Sequence, residues 1–307
     1  MMLSAAATET NPDNIRMNTP ASPTRTAPPD PAQDLPAIAG AVRTAVCYLA
    51  LWFGLATCGA IFLGYCGAAV VASPFLGAAA RRRIGRRWMQ RTFLFYLGIL
   101  ERAGIMRVDN SELLALRGER SIILAPNHPS MLDVVLVISR LDNVGCIMKA
   151  QLWDNIFLGA GARMAGFICN DSPRNMVRLS VQDLESGSKL LVFPEATRTI
   201  RAPVNSLSGG FALIARKANA PVQTILIETS SPYLRKGWPL FRLPPMPIYY
   251  RLRLGERFQP REDVHSLVAD VERHFIEELG KASREPTPTE SAVLPEPGPP
   301  GARRQPA

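Results

Sequence analysis

His128 and Asp133 are the pair of residues in this sequence whose types and spacing best suit chemistry. They belong to the stretch NHPSMLD at residues 127–133, which directly follows an apolar run. On one continuous helix their offset would turn the side chains apart, since only residues three or four apart share a helical face. If His128 instead lies on a turn before the helix, the Asp133 carboxylate can reach the imidazole. It would then fix the tautomer of a general base and stabilise its protonated form.

Chance also brings an aspartate near a histidine, so the pair taken alone fits a structural role better than a catalytic one. A second polar stretch, FPEATRT at residues 193–199, strengthens the catalytic interpretation. It too follows a short apolar run that ends at a proline. Because ligands in open α/β sheets bind beyond the carboxyl ends of the strands, the two stretches are candidates to share one pocket.

The polar side chains of the second stretch suit a phosphorylated ligand. Arg198 offers a planar fork of donors for phosphate, and Thr197 offers a hydroxyl. Glu195 could bind a substrate hydroxyl or hold an arginine in place. A capped turn with a surface ion pair is the alternative for this stretch in isolation.

From about residue 100 to residue 280, short apolar runs alternate with amphipathic ones. This pattern predicts an α/β domain with a mixed sheet flanked by helices. Pro129 is expected at the first position of a helix after His128, because proline is tolerated there. Strands are predicted at 122–125, 144–149, 189–193, 222–227 and 249–254, and helices at 176–184, 210–218 and 264–279. His265 and His274 lie on or near the polar side of the last helix and are assigned no chemistry.

Ahead of this domain, the chain carries no charged residue between Thr44 and Ala80. Residues 45–72 form an apolar segment long enough to cross a bilayer, with aromatic residues that suit the membrane interfaces. Gly64, Gly67 and Pro74 allow a break, so a re-entrant helical hairpin competes with a single span. A buried core helix is the third alternative. The aromatic residues in question are Tyr48, Trp52 and Tyr65.

Clustered arginines follow the apolar segment directly, interleaved with aromatic residues. Such a cluster beside a hydrophobic segment indicates the cytoplasmic side and binding to anionic lipid. The formal net charge of +9 also suits anionic partners. A nucleic-acid site is the rival interpretation, and the adjacent hydrophobic segment disfavours it. The basic residues are Arg81, Arg82, Arg83, Arg86, Arg87 and Arg91.

Composition divides the 307 residues into four parts. Residues 1–40 and the Pro-rich residues 283–307 are predicted to be disordered. Residues 41–99 form a membrane anchor with a basic juxtamembrane helix, and 100–282 form the domain that carries both polar stretches. No cysteine pair has metal-binding or redox spacing, so the cysteines are interpreted as reduced packing residues and no metal site is expected. These are Cys47, Cys58, Cys66, Cys146 and Cys169.

Together the two polar stretches resemble a known family. NHPSMLD is similar to the NHxxxxD motif of the glycerolipid and lysophospholipid acyltransferases, and FPEATRT is similar to their FPEGTR motif. Weaker similarities are Lys149 in MKAQLW, the run at 166–168 and the run at 220–222. The resemblance covers roughly residues 100–255, and the preceding apolar anchor also fits the family.

The resemblance implies an O-acyltransferase of the acyl-glycerol-phosphate type. His128 would deprotonate the acceptor hydroxyl and Asp133 would orient His128. The acceptor would attack the thioester of an acyl-CoA or acyl-carrier protein directly, with no metal or other cofactor. The acceptor would be a lysophospholipid or related lipid, and the protein would act at the cytoplasmic face of an inner membrane. The residues implied in acceptor binding are Asn127, Lys149, Glu195, Thr197 and Arg198.

The sequence departs from the family pattern at three places. Ala196 replaces a glycine, Thr224 replaces a proline, and residues 170–172 stand where an arginine is expected. These departures keep open a catalytically lapsed member that binds lipid or carrier protein in a complex. The runs KAQLW, ICNDSP and KGWPLFRLPP are closer to acyltransferases associated with aryl-polyene or xanthomonadin-type pigment lipids. A lipid hydrolase is a further alternative, although no GxSxG motif is present.

Overall fold

The computed structural model describes residues 31–155 and 158–282, and the side chains of residues 40–155 and 158–281. The segments predicted to be disordered lie outside the described residues, apart from 31–40, where the first helix begins. Internal contacts divide the chain into Met1–Thr44, of which the first turns of that helix are described, and Ala45–Ala307. Apart from the first turns of this helix, the features discussed below lie in the second unit.

A mixed sheet is the centre of this unit. Among the described residues it has seven strands in the order β1-β7-β6-β2-β5-β3-β4. Only the β6–β7 pair is antiparallel, and all other neighbours are parallel. The α/β class with a mixed sheet is therefore confirmed. The strands are β1 Met106–Asp109, β2 Ile122–Pro126, β3 Val144–Lys149, β4 Ile168–Asn170, β5 Lys189–Leu191, β6 Val222–Thr229 and β7 Ile248–Phe258.

Helices cover both faces of the sheet, which explains why β2 is buried along its whole length. Ile122 and Leu124 pack into the core layer formed with the first three helices. Ile123 and Ala125 point the other way, into the layer formed with the last three. The helices are α1 Pro31–Ala72, α2 Ala78–Arg102, α3 Asp133–Ile138, α4 Gly159–Met164, α5 Pro173–Glu185, α6 Gly210–Ala218 and α7 Val264–Ala282.

α1 is one unbroken helix through Gly64 and Gly67, and the chain turns only at the short 3-10 helix Ser73–Phe75 that contains Pro74. Within the described residues, one helical stretch, Gly40–Phe75, is long and apolar enough to cross a membrane. Only 17% of its most apolar window is buried by the rest of the chain. The helix therefore presents a largely uncovered apolar surface.

From Leu51 onward, one side of α1 is nevertheless docked to the domain. Its buried side chains recur at helical spacing, and they include Leu51, Phe62, Tyr65, Cys66 and Ala69. The Tyr65 hydroxyl donates to the carbonyl oxygens of Gly85 and Gly161, at 3.1 and 3.2 Å. Tyr65 is therefore a buried link to the domain and not the membrane-interface residue that the sequence predicted.

Arg86 fastens α2 to the sheet layer and is an exception to the predicted lipid-binding cluster. Its side chain is 2% exposed and its Nη2 contacts both carboxylate oxygens of Asp183, at 2.8 and 2.9 Å. Its other nitrogens donate to Ser188, Asn143 and the carbonyl of Ala165. All of its donor nitrogens are thus engaged within the domain. The outer face of α2 instead carries Arg83, Arg87, Trp88, Arg91 and Phe95.

Candidate active site

The turn after β2 positions His128. The strand ends at Pro126 and α3 begins only at Asp133, so the prediction of a helix from Pro129 is wrong. Side chains and neighbouring backbone groups take the hydrogen bonds that a helix would have used. The Ser130 N–H donates to the Asp133 carboxylate at 2.9 Å, and the Met131 N–H donates to the carbonyl of Leu234 at 3.3 Å.

The turn brings His128 and Asp133 into contact. His128 Nδ1 lies 2.7 Å from Asp133 Oδ2. The aspartate side chain is fully buried, whereas that of His128 is 16% exposed. With Nδ1–H donating to the carboxylate, Nε2 carries the free lone pair. No described residue bonds to Nε2, so this nitrogen is available to an incoming hydroxyl.

The Asp133 carboxylate lies in an unfavourable environment for charge. Burial raises its pKa above the ordinary range, and the hydrogen bond from His128 acts in the opposite direction. Its Oδ1 atom is buried with no hydrogen-bond partner in the part of the chain that the structure describes. An unpaired buried carboxylate oxygen is costly. The hydrogen bonds from His128 and from the Ser130 N–H, both to Oδ2, compensate for part of this cost.

Glu195 joins the second polar stretch to the first. Its Oε1 accepts hydrogen bonds from the backbone N–H of His128 at 2.8 Å and the Thr199 hydroxyl at 2.7 Å. Its Oε2 accepts from the Asn205 N–H at 2.8 Å. The Phe193 ring stacks on the imidazole of His128 with centroids 3.9 Å apart. The turn at 193–199 therefore fixes both the backbone and the ring of the histidine.

The residues implied in acceptor binding fall into two groups. Asn127 is buried and exchanges two hydrogen bonds with the backbone of Ile227, at 2.7 and 3.0 Å. The side chains of Asn127 and Glu195 thus form their hydrogen bonds with other groups of the protein. Lys149, Thr197 and Arg198 line an open cavity together with His128.

This cavity has a volume of about 950 Å³ and runs between the turn at His128 and the helices α1 and α2. Its walls are mostly apolar. Three cationic side chains line it, Lys149, Arg198 and Lys236, and no carboxylate of a described residue does. Lys236 was not among the residues expected from the sequence, although it lies in a basic segment without acidic residues, which was a usable signal.

Arg198 also holds the connection between β6 and β7 in place. Its Nη1 donates to the carbonyl oxygens of Leu234 and Arg235, at 2.9 and 3.3 Å. The remaining guanidinium nitrogens have no hydrogen bond within the described residues and remain available to a ligand. Ala196, at the site of the expected glycine, adopts a left-handed backbone with φ of 54°.

Two further residues, Tyr250 and Cys146, lie next to the site. The hydroxyl of Tyr250 donates to Ser130 Oγ at 3.1 Å and supports the turn that holds Asp133. Cys146 lines the cavity, but burial raises the pKa of its thiol to about 12. Its thiolate is therefore scarce at neutral pH, which makes it a poor nucleophile. The support that Tyr250 gives to the turn and the place of Cys146 on the cavity wall were not apparent from the sequence, because both depend on contacts between distant segments.

Comparisons with known proteins concern the domain that carries this site. Residues 106–228, which contain both polar stretches, match the family model described as Acyltransferase. No curated protein matches the chain significantly in sequence. Among solved structures, the 1-acyl-sn-glycerophosphate (LPA) acyltransferase PlsC from Thermotoga maritima is similar, with a TM-score of 0.60 and 18% identity. The match covers 80% of this chain and 99% of that one, and it shows a common fold. Residues 106–228 are therefore similar in sequence to the Acyltransferase family model, and the chain shares its fold with the Thermotoga maritima protein.

Proposed function

We propose that this protein transfers an acyl group from an acyl-CoA or acyl-carrier-protein thioester to a hydroxyl of a lysophospholipid or related lipid. One observation carries the proposal. His128 holds its Nδ1 against a buried carboxylate and stands on the wall of a large, mostly apolar cavity. A cavity of about 950 Å³ is at the upper end of the range for small-molecule sites, as a long acyl chain requires.

His128 is the general base in this proposal. Its Nε2 takes the proton of the acceptor hydroxyl while the oxygen attacks the thioester carbonyl. A carbon–oxygen bond forms, the carbon–sulfur bond breaks, and the thiol leaves with the proton that the imidazolium returns. Asp133 stabilises the imidazolium between these two steps. A positioned base of this kind contributes about 10²–10⁴-fold to the rate.

Direct attack is favoured over an acyl-enzyme. The pKa of the Cys146 thiol is raised by burial to about 12, and the Ser130 hydroxyl is fully buried and bonded to Tyr250. Neither group has the activated, accessible character of a covalent nucleophile. The acceptor oxygen is then the only nucleophile that the proposed reaction needs.

The acceptor is proposed to carry an anionic headgroup. Lys149, Arg198 and Lys236 line the cavity without a lining carboxylate from the described residues to neutralise them. Asn170 stands near the position where the resemblance leads one to expect an arginine, and Lys236 would supply the missing cation. Because the similar solved structure is titled a 1-acyl-sn-glycerophosphate (LPA) acyltransferase, lysophosphatidate is the first acceptor to test. An anionic pigment lipid is the second.

The proposed site of action is the cytoplasmic face of an inner membrane. The uncovered apolar surface of α1 supports membrane association, and the exposed arginines of α2 suit anionic lipid. Because α1 is docked to the domain from Leu51 onward, the domain would lie directly against the bilayer.

The test is an acyl-transfer assay with the full chain in membranes. Labelled acyl-CoA and acyl-carrier protein would be offered with a panel of lysolipids that includes lysophosphatidate. His128→Ala should lower product formation by about 10²–10⁴-fold. His265→Ala, a substitution of an exposed histidine on α7, is the matched control and should change nothing.

Other outcomes would overturn the proposal in recognisable ways. Near wild-type turnover in His128→Ala would exclude the histidine as base. Release of free fatty acid without an acylated lipid would identify a hydrolase. Binding of donor or lipid without transfer for any pairing would identify a catalytically lapsed member.

A further inference from the structure

The connection between β6 and β7, residues 230–247, has an unusual composition for an exposed segment. It carries Arg235, Lys236 and Arg242 and no acidic residue. It also carries Trp238, Leu240, Phe241 and Leu243. Leu240 and Phe241 are 45% and 57% exposed, so about half of each of two adjacent large apolar side chains is open to solvent.

Internal contacts hold this segment in a defined shape. The Trp238 N–H donates to the carbonyl of Arg235, and the Arg242 N–H donates to that of Pro239, both at 3.0 Å. The Arg242 guanidinium lies 4.8 Å from the centroid of the Trp238 ring. Trp238, Leu243 and Met246 pack against the core on the inner side. These contacts hold Leu240 and Phe241 in their partly exposed positions, and a contiguous exposed apolar patch indicates an interaction surface.

The same tip adjoins both the apolar helix and the cavity. Phe241 stacks on Trp52 of α1, with ring centroids 4.9 Å apart and an interplanar angle of 19°. Trp52 and its neighbour Phe53 are also more than half exposed. Leu240, Phe241, Met131 and Leu152 are all exposed and all line the cavity, so they form an apolar rim at its mouth.

A lipid surface fits these features better than an acidic protein does. Cations alone would serve an acidic carrier protein, whereas the rim adds aromatic and aliphatic side chains that are continuous with α1. Aromatic residues beside basic ones are typical of segments at the membrane–water interface. Arg235, Lys236 and Arg242 would contact anionic headgroups while the tip enters the acyl region.

We propose that residues 230–247 form a second membrane-contact element, separate from α1, that inserts Leu240 and Phe241 into an anionic lipid surface at the cavity mouth. A lipid acceptor would then reach His128 from the bilayer without crossing water. The proposal concerns binding and does not depend on the reaction that the site performs.

Photo-crosslinking of the full chain in vesicles tests this element. A benzophenone amino acid would be introduced by Leu240→p-benzoylphenylalanine, in vesicles of phosphatidylcholine with and without phosphatidylglycerol. The matched control is Ile276→p-benzoylphenylalanine, because Ile276 is similarly exposed at 48% but lies on α7, which covers the opposite face of the sheet. We expect lipid adducts at position 240 and few at 276.

A second part of the experiment tests whether the basic residues are needed for contact with anionic lipid. In the 240 background, the double substitution Arg235→Gln/Arg242→Gln should lower adduct yield severalfold in vesicles with phosphatidylglycerol and have no effect in neutral ones. Arg273→Gln on α7 is the control. Equal lipid yields at 240 and 276 would overturn membrane contact by this element. Adducts to added acyl-carrier protein in place of lipid would do the same and would identify a protein-docking surface.

Discussion

The carboxylate of Glu195 accepts a hydrogen bond from the backbone N–H of His128, with nitrogen and oxygen 2.8 Å apart. The two polar stretches are therefore one structural unit, in which the second positions the first. The sequence suggested acceptor binding for Glu195. Its three hydrogen bonds to the protein favour a positioning role, which is a second hypothesis beside acceptor binding.

Glu195→Gln should separate these two roles. An amide presents an N–H₂ group where one carboxylate oxygen now accepts, so one backbone N–H loses its partner at a cost of about 1–3 kcal/mol. We expect kcat to fall by up to about 100-fold, because small displacements of a base are costly, while the KM for acceptor stays unchanged. Steady-state kinetics in acceptor lipid measures both. Glu185→Gln, at an exposed site on α5, is the control, and a raised acceptor KM with normal kcat would restore the binding role.

Asp133→Asn should lower activity without weakening the fold at neutral pH. Asparagine still accepts from the Ser130 N–H and from His128 Nδ1–H, but it has no charge to stabilise the imidazolium. Because burial raises the pKa of Asp133, the wild type loses stability as pH rises through that raised value. Thermal unfolding should therefore coincide for the two proteins below pH 3.8, and the variant's Tm should exceed the wild type's as pH rises.

Two results would contradict the account of Asp133. Unchanged turnover in Asp133→Asn would remove the carboxylate from the mechanism. A variant Tm below that of the wild type at neutral pH would mean that pairing with His128 outweighs the cost of burial.

Lys236→Ala should weaken the binding of anionic acceptors. A hydrogen bond to a charged group contributes about 1.5–3 kcal/mol, which corresponds to about 10–100-fold in acceptor KM. An uncharged acceptor such as a monoacylglycerol should show no change. Lys217→Ala, in the exposed last turn of α6, is the control. An equal loss with charged and uncharged acceptors would argue against a headgroup contact.

Ala196→Gly should stabilise the fold. A φ of 54° is strained for alanine and unstrained for glycine, and the relief should exceed the entropic cost by up to about 1 kcal/mol. Denaturant unfolding measures the difference. Ala269→Gly, in the exposed middle of α7, should change stability in the opposite direction by about 1 kcal/mol. Destabilisation by Ala196→Gly would show that the methyl group makes contacts that compensate for its strained backbone.

Arg86→Met should loosen the attachment of α2. The substitution leaves the buried Asp183 carboxylate without its main partner, and such losses cost about 3–5 kcal/mol. Arg82, whose Nη1 lies 3.4 Å from Asp183, should recover part of this. Thermal unfolding is the measurement, and Arg83→Met on the exposed face of α2 is the control. Equal effects of the two substitutions would exclude a special role for the buried pair.

The sequence predicted the central elements well, because their signals are local. β3 and α6 have the predicted bounds, and β2 differs by one residue. The strands β1 and β4 were not predicted. β1 is a four-residue edge strand that includes Arg107 and Asp109, and its partner β7 lies more than a hundred residues away. Short edge strands of mixed polarity resemble loops until their partner is known.

At the site, too, contacts between residues close in sequence could be predicted, whereas contacts between distant segments could not. The juxtaposition of His128 and Asp133 follows from their spacing and a turn, and the structure has them in contact. The role of Glu195 depends on Thr199 and Asn205 folding around it, and Lys236 reaches the cavity from a separate loop. The burial of Arg86 likewise depends on Asp183, on a distant helix. No spacing rule in one sequence contains this information.

The helix α1 supplies Leu51, Gly54, Cys58 and Phe62 to the cavity wall. A truncated protein prepared without this helix, to ease expression, would keep His128 but lose part of the cavity wall. Its failure in an assay would then say nothing about the catalytic residues. Substitutions in α1 would act on two surfaces, because its inner side forms part of the cavity wall and its outer side is the uncovered apolar surface. At Gly54, for example, an added Cβ would lie 3.2 Å from Leu100 Cδ2.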